Sequence, residues 1–256
     1  MSGLSERLKY ARQTMKLTLD DVESRTSVGA STLSEFENDK REPRLPQLKE
    51  LADLYRRATS FFLDDGPLPR EIVLWRQKPK SPNAEELQAQ LLRLGEQYHL
   101  LESWCGSLEG PEIPFATGKG ESFGYQQAEK LAHDFRNMHG LGERPGQSLL
   151  RVVEEICKVK VFHMAFEPSG SAACTLNESF GAAILLNSNN VRWRRNFDLA
   201  HELFHLLTWK VFRTPGEESF AEATAKEEKL ATCFARNLLM PQEPLRIAID
   251  SQLGAK

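Results

Sequence analysis

The break at Asp64-Asp65-Gly66-Pro67, reinforced by Pro69, constrains the fold of this chain more than any other feature. Residues 4–63 carry a dense series of short helical signals parted by turn residues, whereas helical and β-rich runs alternate from Gly124 onward. A change of pattern across a cluster of turn residues predicts a domain boundary. The expected division is residues 1–66 as a mainly α domain, 67–120 as a linker with one long helix, and 121–256 as an α+β domain.

With 256 residues, 40% hydrophobic and 27% charged, the chain can bury a real core. The longest charge-free apolar run, residues 180–186, is too short to cross a bilayer, and the polar start at residues 2–9 is no signal peptide. No membrane partner and a cytoplasmic location are therefore expected. Cys105, Cys157, Cys174 and Cys233 form no CxxC pair, which argues against a disulfide framework or a zinc knuckle. The net charge of −3 gives no overall attraction for nucleic acid, so any DNA contact must come from a local surface.

In the first segment, helices are expected at about residues 4–15, from an N-cap at Thr18 to Ser24, at 31–37, from Pro46 through Tyr55, and in a short piece ending at Leu63. The stretch TLDDVESRTSVGASTLSEFENDKREPRLPQLKELADLY resembles the Xre/Cro-type helix-turn-helix family. Leu33, Glu37, the Lys40-Arg41 loop and Pro43 fall on that motif's inner aliphatic, terminal acid, basic loop and proline. The resemblance implies a third helix entering a major groove, with Ala30, Ser31, Thr32 and Glu35 facing bases and Lys40, Arg41 and Arg44 near phosphates. Residues 1–66 nevertheless hold eleven Lys/Arg against twelve Asp/Glu. A near-neutral domain binds DNA weakly, or as a dimer, because counterion release usually supplies much of the affinity. The other reading is a helical domain for protein contact.

Residues 71–76 read as a short strand and 78–83 as a Pro-broken link. From 84 to about 107, Leu87, Leu91, Leu94, Tyr98, Leu101 and Cys105 alternate spacings of four and three. Such a stripe could pair two chains into a homodimer. Docking on the following domain is the favoured alternative, since Leu92, Leu100 and Trp104 widen the apolar face. Further on, helices are expected at 125–138, 147–157, 191–209 and from near 217 to Leu239, with strands at 159–162, 172–176 and 182–186.

On the 191–209 helix, His201 and His205 lie one turn apart, with Glu202 offset by about 100° toward the cleft side. Two imidazoles and a neighbouring carboxylate are the minimum of a zinc hydrolase: nitrogens for the ion and a base for water. A third, acidic ligand must come from elsewhere. On the last helix Glu228 lines up with the small residues Ala231, Thr232 and Ala235, which allow close approach; Glu227 competes, because helix phase shifts easily by one residue.

The segments RRNFDLAHELFHLL and EEKLATCFARNLLMP, with AEKLAHDFR before them, resemble the ImmA/IrrE family of zinc metallopeptidases over about residues 124–243. The resemblance implies a zincin-like metallopeptidase fold, with His201, His205 and Glu228 as zinc ligands and Glu202 as general base. It also implies a fused regulatory protein, since the family includes enzymes that cleave transcriptional repressors. Three departures stand out. Phe204 replaces a common glycine and is expected to crowd the site, Thr232 replaces an asparagine, and the chain stops soon after Met240-Pro241, where relatives continue with helices that complete a substrate surface.

The expected function is a regulatory zinc endopeptidase with a DNA-binding domain, acting on a repressor-like protein in a bacterial or mobile-element stress or induction response. Residues 182–186 are the expected strand for holding substrate by edge pairing. Two histidines and a carboxylate also accept Mn²⁺ or Fe²⁺ in place of Zn²⁺. The alternatives are a transcription regulator whose peptidase fold senses metal or ligand without proteolysis, and an antitoxin-like partner binder.

Overall fold

The computed structural model describes residues 3–69, 71–80, 84–107, 110–167, 169–213 and 222–253. The chain forms two compact units, Met1–Arg70 with Ser81–Leu100, and Glu71–Lys80 with Leu101–Lys256.

The first unit is helical. Its helices α1 (Leu4–Thr14), α2 (Leu19–Arg25), α3 (Ala30–Glu37), α4 (Leu45–Leu54) and α5 (Thr59–Leu63) surround a core of Leu8, Val22, Val28, Leu33, Phe36, Leu51, Tyr55 and Phe62. Thr18 caps α2 in a reciprocal box with Asp21, which satisfies two otherwise orphaned amides and fixes the entry to the second helix. Glu37, at the end of α3, is nearly buried and takes Arg12 of α1 in a two-pronged ion pair with both contacts at 2.7 Å. Buried Arg7 donates to the Phe61 and Gly66 carbonyls and to Asp64, tying α1 to the segment after α5.

The long helix α6 spans Ala84–Trp104. Leu91, Leu92, Ala89 and Gly95 are buried, but Tyr98, Leu101 and Cys105 of the heptad stripe are exposed. Residues up to Leu100 cluster with the helical unit, where Arg56 pairs with Glu86 and Lys16 with Glu85. Apolar spacing marked the helix, but spacing carries no identity for the surface that covers it.

The second unit is α+β. Strands β1 (Leu74–Trp75), β2 (Lys160–Met164), β3 (Ala172–Asn177) and β4 (Gly181–Asn187) form one sheet in the order β1-β3-β4-β2. The β3–β4 hairpin turns through Asn177, whose side chain accepts from Ser179 N at 2.7 Å, and closes at Gly181, which has φ +83°. Helix α7 is Tyr125–Met138; the expected 147–157 helix is a short α8 (Leu149–Arg151) that widens into a π turn at Val152–Ile156. Helices α9 (Arg192–Leu207), α10 (Trp209–Phe212), α11 (Ala225–Leu239) and α12 (Gln242–Leu253) follow. The expected start of α11 at 217–221 lies outside the described residues. Helix α9 packs on β3 and β4, and α11 packs on α9 and α7.

One expectation is corrected here. Residues 182–186 lie in β4, which is paired with β3 on one side and β2 on the other, so both rows of backbone groups are taken and the strand offers no edge to an extended substrate. The edges of the described sheet are β1 and β2. Helix α11 ends at Leu239, just before Pro241, and α12 starts directly after it, its Leu245 N donating to the Pro241 carbonyl. No helix among the described residues is long and apolar enough to cross a membrane.

Candidate metal centre

Helix α9 is amphipathic with a wide inner face: every residue from Asp198 to Leu207 is buried. Leu199, Ala200, Leu203, Leu206 and Leu207 anchor it in the core, so the polar side chains of its middle are carried inside by their neighbours. Asp198, one turn before Glu202, is held by Arg76, which follows β1 and lies over the Phe197 ring at 4.8 Å. Phe204 does not crowd the polar side. Its ring packs among Phe123, Phe212 and Phe234 with centroids 5.6–6.4 Å apart, in the core rather than in the cleft.

The partner helix α11 begins at a Thr224 cap that accepts from Glu227 N at 3.2 Å. Leu230, Phe234 and Leu238 bury its flank, and Ala231 and Ala235 leave room for α9. This contact brings Glu228 to the histidines. His201 Nε2 lies 3.1 Å from Glu228 Oε2, and His205 Nε2 lies 3.3 Å from Glu228 Oε1. Ligand atoms of His201, His205 and Glu228 all fall within 4.8 Å of one another, a set that could hold a metal ion. Glu227 reaches the other side of the same ring: its Oε1 is 2.8 Å from His205 Nδ1, and Arg213 grips its carboxylate at 2.9 and 3.2 Å.

The electrostatics follow from burial. Burial drives His201 down to about 4, so its ring is neutral at pH 7. For His205 burial acts in the same direction but is outweighed by hydrogen bonds to Glu227 and Glu228, and the ring is pushed up to about 9. Burial would raise Glu228, yet the two histidines hold it at about 2. Glu202 is wholly buried and pushed up to about 7, chiefly by that burial. Both of its oxygens are buried, with no well-aligned hydrogen bond. Leaving such groups unmatched costs roughly 1–3 kcal/mol each, more for a charge. Two imidazole nitrogens and a carboxylate oxygen, converging within 4.8 Å, fit a zinc-type cation in number and chemistry.

A cleft of about 420 Å³ opens beside these groups, lined by Arg76, Gln77, Tyr125, His201, Glu228, Lys229, Thr232, Cys233 and Arg236. Glu202 is not among its walls, contrary to the expectation that it faces the cleft side; its carboxylate is in reach of the buried Cys174 of β3 instead. Sequence reasoning missed the parts played by Arg213, Arg76 and Cys174. None lies within a helix period of the histidines, and only strand order and loop path bring them in.

In the helical unit, Ser31, Glu35, Lys40, Arg41 and Arg44 are exposed and Ala30 and Thr32 half-buried. All stand on α3 or in the loop and N-cap before α4. Glu35 is 3.8 Å from Arg41, so the acid on the candidate reading face already has a cation beside it.

A helical unit and an α+β unit that holds a His-His-Glu cluster, two of its members buried, are the architecture of a helix-turn-helix domain joined to a metallopeptidase-like fold. Residues 8–62 match the helix-turn-helix family and residues 154–253 match the IrrE N-terminal-like domain, Peptidase_M78. The two matches fall in that order on the helical unit and the α+β unit, as the two resemblances implied. No curated protein and no solved structure matches it.

Proposed function

We propose that this chain is a regulatory zinc-dependent endopeptidase, addressed to DNA or a DNA-bound regulator by its helix-turn-helix domain, with a repressor-like protein as substrate. The observation that carries the reading is the convergence of His201, His205 and Glu228 within 4.8 Å, next to a buried, unmatched carboxylate of Glu202 on the same helix.

His201 Nε2, His205 Nε2 and the Glu228 carboxylate would hold the ion. When bound, zinc supplies Lewis acidity, which polarises a peptide carbonyl and makes water acidic near neutral pH. Glu202, poised near 7 by burial, takes the proton from the attacking water and delivers it to the leaving amine nitrogen as the C–N bond breaks. The apolar packing of α9 keeps both histidines fixed through this cycle. Arg76 holds Asp198 and so steadies the turn of α9 before Glu202.

The test measures metal content and cleavage of candidate repressors by wild type and Glu202→Gln. Stoichiometric zinc in both, with cleavage by the wild type alone, supports the proposal. Zinc in both, no cleavage by either and intact regulation by the mutant would sink it. That outcome would install the second reading, a regulator that senses metal without proteolysis. The specific observation on its side is that Glu202 does not line the cleft.

A further inference from the structure

Glu227 and Glu228 are consecutive, yet they meet opposite edges of the His205 ring. Glu228 sits at Nε2, 3.3 Å away, and Glu227 at Nδ1, 2.8 Å away. We infer that Glu227 and Arg213 are positioning residues for the metal centre: Arg213 pins Glu227, and Glu227 holds the Nδ1–H of His205 so that Nε2 faces the ion. The inference rests on reading His205 as a ligand.

Three features carry it. An imidazole that gives one nitrogen to a metal must keep its proton on the other, and a carboxylate accepting from that N–H fixes both tautomer and ring angle. Glu227 is 2% exposed, so it is no incidental surface partner. Its carboxylate is committed on both oxygens, Oε1 to Arg213 Nη1 and His205, Oε2 to Arg213 Nη2. Arg213 in turn is buried and lies with its guanidinium 4.8 Å from the Trp209 ring centre. The Thr224 cap fixes the start of α11 and with it the place of Glu227 in the first turn.

The clamp also keeps the ligand set unique. A buried carboxylate without its arginine is an uncompensated charge, and an adjacent divalent ion is the nearest thing that would neutralise it. By occupying Glu227, Arg213 leaves Glu228 as the sole acidic ligand among the described residues. His201 has no comparable support, for its Nδ1 is a buried atom without a hydrogen-bond partner. The two histidines are thus unequal, and the brace falls on His205.

The test uses the full chain and two readouts. In the first, zinc affinity is measured by competition with a fluorescent chelator. Glu227→Ala should weaken zinc roughly 10–100-fold, the usual range for loss of such an outer partner. Glu227→Gln, which keeps an acceptor for Nδ1–H, should recover part of that loss. Arg213→Met should weaken zinc, and Arg213→Lys less so. In the second, NMR follows the His205 Nδ1 proton in zinc-free and zinc-loaded protein. It should exchange slowly in wild type and rapidly in Glu227→Ala.

Wild-type zinc affinity in folded Glu227→Ala, or a His205 ring without an Nδ1 proton, overturns the inference. If Glu227→Ala does not fold, the Gln and Lys variants decide by the same readouts: affinities and proton exchange equal to wild type in both overturn it. A wild type that binds no zinc refutes the metal reading itself, and the NMR signal separates that outcome from failure of the Glu227 clamp.

Discussion

The two units place their polar groups in opposite ways. In the helical unit, the residues that would meet DNA are exposed or half-buried, and the buried charges (Arg7, Arg57 and the Arg12–Glu37 pair) hold helices together. In the α+β unit the candidate site itself is buried, with His201, Glu202 and His205 at most 1% exposed. A surface function leaves the fold indifferent to its residues, whereas a buried one forces every donor and acceptor to find a match. The second kind of site is over-determined, and can be argued from geometry.

The comparison breaks first at Glu202. If the buried cluster is catalytic, Glu202→Gln should lower the rate of repressor cleavage by about 10²–10⁴-fold with zinc content unchanged, measured on purified protein. An equal rate would make Glu202 a packing residue. Next comes Phe204. Because its ring fills a wholly buried space, Phe204→Ala should destabilise the protein by about 3–5 kcal/mol in denaturant unfolding. A loss under 1 kcal/mol would show that the aromatic cluster is slack.

A pH effect sharpens the same contrast. In the metal-free protein His205 sits near 9 and His201 near 4, so at pH 7 only His205 carries a proton that zinc must displace. Titration calorimetry in buffers of different ionisation enthalpy should show about one proton released at pH 7 on this account. The release should fade, and apparent affinity rise, as pH passes 9. The smallest effect lies in the helical unit. Arg41→Ala should lower affinity for operator DNA modestly and reduce the slope of log K against log salt by about one. An unchanged slope at several salt concentrations removes Arg41 from the interface.

Much of this was legible before any coordinates. The α9 helix was expected at 191–209 and runs Arg192–Leu207, because its apolar spacing is long and regular. The three expected strands of the second half are all present, since β-branched and small apolar runs between turn residues admit few other readings. Strand order was not legible. That β4 is central depends on its pairing with β2, 23 residues earlier, and that β1 is an edge on its pairing with β3, about 100 residues later, and neither leaves a local trace. The division of labour between Glu227 and Glu228 was hidden too. One residue is 100° of helix, and only the positions of Arg213 and the His205 ring separate the two carboxylates.

The packing of Phe204 carries a lesson for anyone transplanting this helix. The two positions between Glu202 and His205 look like spacers, free to vary as long as the count is kept. Here one of them is a keystone shared by three other rings. A graft that copies His201, Glu202 and His205 but not the aromatic socket beneath would inherit the candidate site's side chains without their alignment. The transferable unit is the motif together with Phe123, Phe212 and Phe234.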